Sequence, residues 1–488
     1  MAGRSISDLL ARLIALRRGW PWLLAVSLCA VSLAAFWPGV AMYDSVAQYR
    51  QAIAGQYDDW HPPAMALLWS LFGARGTAPM FAVQMALYWL GFGSVVAALA
   101  HAGRHRAAVG VIAVALSPVL LGWQMVVLKD TQMLGALIGA TGIAAWWRMR
   151  GAPMPGVAVG IVVVLIGYAM LVRANAVFAA VPMAIGLIDW PCRLPCRIAA
   201  GIVAIGIVLG VAPIINHDVL GAEPSGVERT QALYDLAGIA VHVPESTDIG
   251  LTRAEARAVI ARHCWSPFFW DPLGDDRRCA STLARLRQLP VGTLYKTLAL
   301  AALHHPLAYA GARLAHLDST ERWLVPIGWP GAAPPAISEP NDLHLGDPGR
   351  AALAWQEAAR LVAATPLAWP IVWVVVAVAA LAVGARDLSA TGRLGIALLA
   401  SALTLEASFA IFSIASDLRY HLWPMVATMI GVILITDRRW PPLAVRGVGA
   451  ALLIVIGAGT AARMLLPAPP QTYAGMLTWS ANASINPG

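Results

Sequence analysis

Charge is what this sequence has least of. Asp, Glu, Lys and Arg make up 12% of its 488 residues, against 59% hydrophobic. A water-soluble protein of this size needs roughly a quarter charged residues to cover its surface, so the deficit excludes an ordinary soluble globule and turns most of the surface towards lipid. The period-two alternation of a membrane barrel is missing. Internal repeats and low-complexity tracts are missing too, which leaves no trace of the paired halves common in secondary transporters. Cysteine is sparse, five in all.

What is present is a succession of apolar runs of about 17–23 residues, the length a helix needs to cross about 30 Å of hydrocarbon. Only helices and closed barrels satisfy every backbone group in lipid. The runs predict an all-α polytopic membrane protein with eleven spans, at 20–39, 78–100, 107–127, 130–148, 153–172, 174–190, 197–215, 367–385, 394–415, 418–436 and 446–465. The stretch 62–74 is too short to span comfortably and reads as a re-entrant or interfacial helix.

The formal charge of +8 speaks to topology more than to an acidic partner, and no nucleic-acid partner is implied. Short cytoplasmic segments collect Lys and Arg. With the N-terminus inside, that side carries Arg4, Arg12, Arg17, Arg18, Arg104, Arg106, Arg148, Arg150, Arg193, Arg197, Arg386, Arg393, Arg438, Arg439 and Arg446. The short outer segments carry only Arg50, Arg75, Lys129, Arg173, Arg419 and Arg463. Counting 62–74 as a full span would break this asymmetry. The expected location is a bacterial inner membrane, multi-pass, with a retained first span.

Three parts follow: 1–215, with seven spans and a first periplasmic loop over 40–77; 216–366, a long periplasmic segment; and 367–488, with four spans and a periplasmic tail. The long segment shows helical patterns at 252–263, with Thr252 as N-cap, and at 280–317; 324–349 reads as irregular. A segment this long exceeds ordinary connectors several-fold and is expected to cover or complete a site. Its Cys264 and Cys279 are expected to form a disulfide in an oxidising compartment. Cys192 and Cys196 lack the partners of a zinc site.

Polar residues gather at the outer ends of the spans. Asp44 follows the first span, and Asp58, Asp59 and His61 follow within the same loop. Lys129 and Asp130 lie between the third and fourth spans. Arg173 and Asn175 flank the end of the fifth, and Asp417-Leu418-Arg419-Tyr420-His421 opens the tenth. Charges at this depth are costly and usually face a cavity or each other. Lys129, Arg173 and Arg419 beside carboxylates suit an anionic phosphate or pyrophosphate headgroup, and Asp44 would serve as a base. Glu406, inside the ninth span, is as well explained by a structural hydrogen bond as by a functional role. The long segment contributes Glu228-Arg229, Asp235, His242, His263, Asp271, His304-His305 and Asp318, and its histidines show no metal-ligand spacing.

The order Pro38-Gly39, Asp44-Ser45, His61-Pro62-Pro63, Lys129-Asp130, Arg173-Ala174-Asn175 and Arg419-Tyr420 resembles the GT-C superfamily of membrane glycosyltransferases, and most closely its poorly characterised bacterial members. The resemblance covers 1–215 and, more loosely, 367–436; it does not reach the long segment. It implies a GT-C-like bundle and a polyprenyl-phosphate-linked sugar donor, with inverting transfer to a periplasmic acceptor: a cell-envelope glycan, a lipid or a protein. Asp44 matches the family's catalytic base and Asp130 its second acidic position. Lys129, Arg173, Asn175, Arg419, Tyr420, Asp58, Asp59 and His61 would bind substrate. Most lipid-phosphate-dependent members resembling this pattern need no catalytic metal, although the oligosaccharide-transferring branch does, so no metal cofactor is expected. Two alternatives stand beside this: an O-antigen-ligase-like or polymerase-like enzyme working through Arg229, His242 or His263, and a flippase for lipid-linked sugars without covalent chemistry.

Overall fold

The computed structural model describes residues 2–479, apart from positions 189, 191, 276, 386, 388 and 436–439, and of residues 2–18 the backbone alone. Arg386, Arg438 and Arg439 of the charge count lie outside the described residues, as do the end of the tail and the side chains of Arg4, Arg12, Arg17 and Arg18. Among the described residues the chain is helical throughout, with isolated bridges but no strand.

Among the described residues, six helices are long and apolar enough to cross a membrane: Gly19–Phe36, Ala78–His101, Leu194–Val219, Ala390–Phe412, Leu418–Ile435 and Pro442–Leu465. Shorter apolar helices occupy Gly156–Val172, Ala174–Leu187 and Pro370–Gly384, and Lys129–Arg148 forms a twenty-residue helix. Each of the eleven expected stretches is therefore helical over most of its described residues, but length and apolarity alone qualify six as spans. The expected straight span 107–127 is broken into His105–Ala115 and Pro118–Gln124, bent by 57°. Its cause is Pro118, which drives Ser117 out of the helical region to ψ 127°; counted as one, the pair would bring the number to seven. Ala64–Ser70 is a helix of seven residues, far too short to cross at 1.5 Å per residue.

One apolar core joins the first part of the chain to 394–434, with Phe81, Tyr88, Leu137, Leu398 and Trp423 all fully buried. Helices Ala78–His101 and Lys129–Arg148 approach so closely that a Cβ on Gly142 would lie 2.6 Å from the Gly91 carbonyl oxygen. Small residues permit this backbone contact, as in membrane helix pairs generally. Leu194–Val219 stands at the other extreme. It buries none of its residues, and Ile202, Val203 and Ile207 are each at least 60% exposed. An apolar face of that extent belongs in lipid.

The long segment folds around a second core containing Leu233, Tyr234, Trp265, Leu286 and Leu298. Thr252 caps Arg253–Ala261, accepting from the Glu255 N–H while Glu255 accepts from the Thr252 N–H at 2.7 Å. The expected helix over 280–317 is interrupted by Pro290 and Pro306, and its longest pieces are Val291–His304 and Pro306–Glu321. Two helices of more than ten residues were not foreseen, Thr230–His242 and Arg350–Ala363. The latter packs on the broken span, with the Trp355 indole donating to the Pro118 carbonyl at 3.1 Å. Arg313 fastens the segment to the apolar helices by donating to the Ser413 carbonyl while pairing with buried Asp235.

Cys264 and Cys279 are bonded, with Cα atoms 5.5 Å apart. A loop of this length contributes about 3 kcal/mol by restricting the unfolded chain. Cys264→Ser is thus expected to lower unfolding free energy by about that amount, measured as a fall in thermal midpoint of the purified protein; no change would mean that the bond stabilises nothing.

Candidate functional site

The site is assembled by backbone pairing before any charge enters. After the first apolar helix ends at Phe36, the Val40 N–H donates to the Met125 carbonyl at 3.0 Å and the Val127 N–H donates to the Val40 carbonyl at 2.9 Å. Gln84 holds the same strip of backbone, donating from its side chain to the carbonyls of Gln124 and Val126. Ser45 completes the junction, accepting from the Met42 N–H and donating to the Val127 carbonyl. The first turns of Tyr43–Ala54 and Lys129–Arg148 are thereby brought together, each with an acidic residue where a helix N-terminus favours one.

Asp44 Oδ2 lies 3.1 Å from Arg419 Nη1 and 3.5 Å from Lys129 Nζ. Lys129 in turn sits 2.7 Å from His61 Nδ1; since an ammonium only donates, this ring nitrogen accepts. Arg419 Nε pairs with Asp417 at 3.0 Å. Arg173 pairs with Asp130 at 2.8 Å and donates to the Asn175 amide oxygen at 3.0 Å. The Tyr420 ring links the two arginines, with guanidinium carbons 4.3 Å (Arg173) and 5.2 Å (Arg419) from its centroid. Three cations thus meet three carboxylates. Asp44 and Asp417 keep some exposure, whereas Asp130 has none. That burial suits Asp130 to positioning Arg173 rather than to touching a substrate.

Burial alone would raise the pKa of Asp44. Arg419, Lys129, His61 and Arg173 together outweigh it and hold the carboxyl well below the usual range. His61 is pushed down to about 3, first by burial and then by the positive charge of Lys129. Arg419 Nε and Nη1 are buried, paired by charge, but engaged in no aligned hydrogen bond.

Of the residues singled out in the sequence, Asp44, His61, Lys129, Asp130, Arg173, Asn175, Arg419 and Tyr420 converge here. Asp58 and Asp59 do not. Asp58 accepts from the Trp60 N–H, and Asp59 accepts from the Ser225 N–H at 2.6 Å and lies 3.4 Å from His217. They latch the first loop to 217–225, a pairing that no local pattern reveals. Arg229 donates to the carbonyls of Arg287 and Leu289, and His242 bonds the Gly238 carbonyl. His263 is exposed on the surface of the long segment.

Two residues join the site unforeseen. Asp417 was visible beside Arg419 but had no assigned role. Asp271, from the long segment, lies within electrostatic reach of Asp417, Asp44 and Arg419 and accepts from the Tyr473 hydroxyl at 3.0 Å. Their neighbours also matter: Trp60, preceding His61, and Trp270, preceding Asp271, line one cavity of about 330 Å³ together with Arg229, Thr230 and Arg287. No known family, curated protein or solved structure matches this chain.

Because folded His61 resists protonation, the unfolded chain takes up a proton near pH 6.5 that the folded one refuses until about pH 3. The stability tied to His61 is full above pH 6.5 and declines as pH falls below it. His61→Gln is expected to flatten the loss of thermal midpoint between pH 7 and 5; an unchanged slope would remove His61 from the account.

Proposed function

We propose that this chain is a GT-C-type membrane glycosyltransferase that moves a sugar from a polyprenyl-phosphate carrier to a periplasmic acceptor. The observation that carries the reading is the state of Arg419: buried, charged, and with two donor nitrogens making no aligned hydrogen bond, beside a partly exposed carboxylate. A phosphate oxygen is the ligand such donors suit best. Arg173, held rigid between Asp130, Asn175 and the Tyr420 ring, supplies a second guanidinium, and Lys129 a point charge.

In the proposed reaction Asp44 accepts the proton of the acceptor hydroxyl as that oxygen attacks the anomeric carbon. The bond from that carbon to the phosphate oxygen breaks, and the phosphate leaves with its electron pair, stabilised by Arg419, Arg173 and Lys129. Attack opposite the leaving group inverts the anomeric centre. The cavity between Trp60 and Trp270 offers aromatic faces for the acceptor. The reading also includes eleven crossings in a bacterial inner membrane, with the three apolar helices under eighteen residues, Lys129–Arg148 and the bent pair serving as spans and the long segment in the periplasm.

Asp44→Asn is expected to lower sugar transfer by at least about a hundredfold while leaving the protein folded and inserted. Arg419→Ala should cost about as much or more, and alanine at His242 or His263 little. Full activity in Asp44→Asn, measured with purified protein and a polyprenyl-phosphate sugar, would sink the proposal.

The structure also bonds Cys192 to Cys196, in the loop that the proposed topology places on the reducing side, where thiols stay free. In variants lacking the other cysteines, a membrane-permeant maleimide is expected to label them in intact cells and an impermeant one is not. Labelling from outside would invert the topology.

A further inference from the structure

His421, the residue after Tyr420, belongs to a second buried group that the transfer chemistry leaves unused. Glu321 ends the helix Pro306–Glu321 of the long segment, Glu406 lies in the apolar helix Ala390–Phe412, and His421 closes the turn Leu418–His421. Their relative exposures are 5%, 6% and 0%. One potential ligand atom from each lies within 4.8 Å of the other two. His421 Nδ1 is 2.8 Å from Glu406 Oε2, while Nε2 is 3.0 Å from the Thr320 hydroxyl. Glu321 Oε2, though buried, has no hydrogen-bond partner.

Charge is the difficulty with this arrangement. Two ionised carboxylates side by side in an apolar interior repel one another and lose their hydration, and an imidazole can supply one positive charge at most. The nearby arginines are committed elsewhere. Arg322 donates to the carbonyls of Pro330 and Trp329, Arg173 pairs with Asp130, and Arg313 pairs with Asp235. A divalent cation would balance both carboxylates at once and give Glu321 Oε2 the partner it lacks. The imidazole is already oriented for ligation: Thr320 engages Nε2 from behind, the usual outer-shell arrangement, which leaves Nδ1 facing the carboxylates.

We propose that Glu321, Glu406 and His421 bind one divalent transition-metal ion, Zn²⁺ foremost. Mixed imidazole and carboxylate ligands favour such an ion over Mg²⁺ or Ca²⁺, which prefer all-oxygen sites. The ion staples three elements: the long segment, an apolar helix, and the turn that presents Arg419 and Tyr420 to Asp44. Its role is positional, so it stands whether or not the chain transfers sugar.

The test is elemental analysis of the purified full-length protein, with thermal midpoints before and after chelation. About one Zn²⁺ per chain is expected, together with a lower midpoint after chelation that ZnCl₂ restores and MgCl₂ or CaCl₂ does not. Glu321→Gln and Glu406→Gln should each lose the bound metal. Should either fail to fold, stripped and reloaded wild-type protein decides the matter alone. Absence of bound metal with no midpoint response to ZnCl₂ would overturn the site. So would a folded, undiminished Glu321→Gln variant, which would indicate two carboxyls sharing a proton, and so would equal rescue by Mg²⁺ or Ca²⁺.

Discussion

Asp44 and Arg419 come from opposite ends of the chain, and their 3.1 Å ion pair is the contact on which the site depends. Arg419 is almost wholly buried and Asp44 nearly so. Desolvating such charges costs several kcal/mol each, repaid only while every partner stays in place. The backbone pairing of Val40 with Met125 and Val127 sets where Asp44 stands, and the turn after Ala390–Phe412 sets where Arg419 stands. Packing of the two ends of the chain into one apolar core fixes the distance between them. Core and site therefore rest on the same helix contacts, and the close approach at Gly91 and Gly142 serves the charged cluster as much as the bundle.

The parts of this arrangement that the sequence made legible are those governed by periodicity and length. Apolar runs marked the helices, and polar residues at one end of successive runs marked Asp44, Lys129, Asp130, Arg173 and Arg419 as neighbours. The misses have two causes, one local and one long-range. Pro118 breaks a run whose mean apolarity hides the break. Asp59 binds Ser225 and His217 rather than Asp44, and Asp271 reaches the cluster from the long segment. The last two are choices of partner across more than a hundred positions, and nothing local encodes such a choice. Glu406 was conspicuous as a carboxyl inside an apolar run, yet its meaning lay wholly in Glu321 and His421, neither of which stands out alone.

On the proposed reading the electrostatics impose an order on the reaction. A carboxylate held so far below its usual range by Arg419 and Lys129 is a poor base while those cations are free to serve it. A donor phosphate competes for the same cations, and its negative charge acts on Asp44 directly. Both effects raise the affinity of Asp44 for a proton. An acceptor hydroxyl arriving first meets a base too weak to deprotonate it, and one arriving after the donor meets a stronger base. The clamp that silences Asp44 in the resting site then becomes the means by which lipid phosphate switches it on, which protects against transfer to water or to a wrong hydroxyl before the right donor is seated.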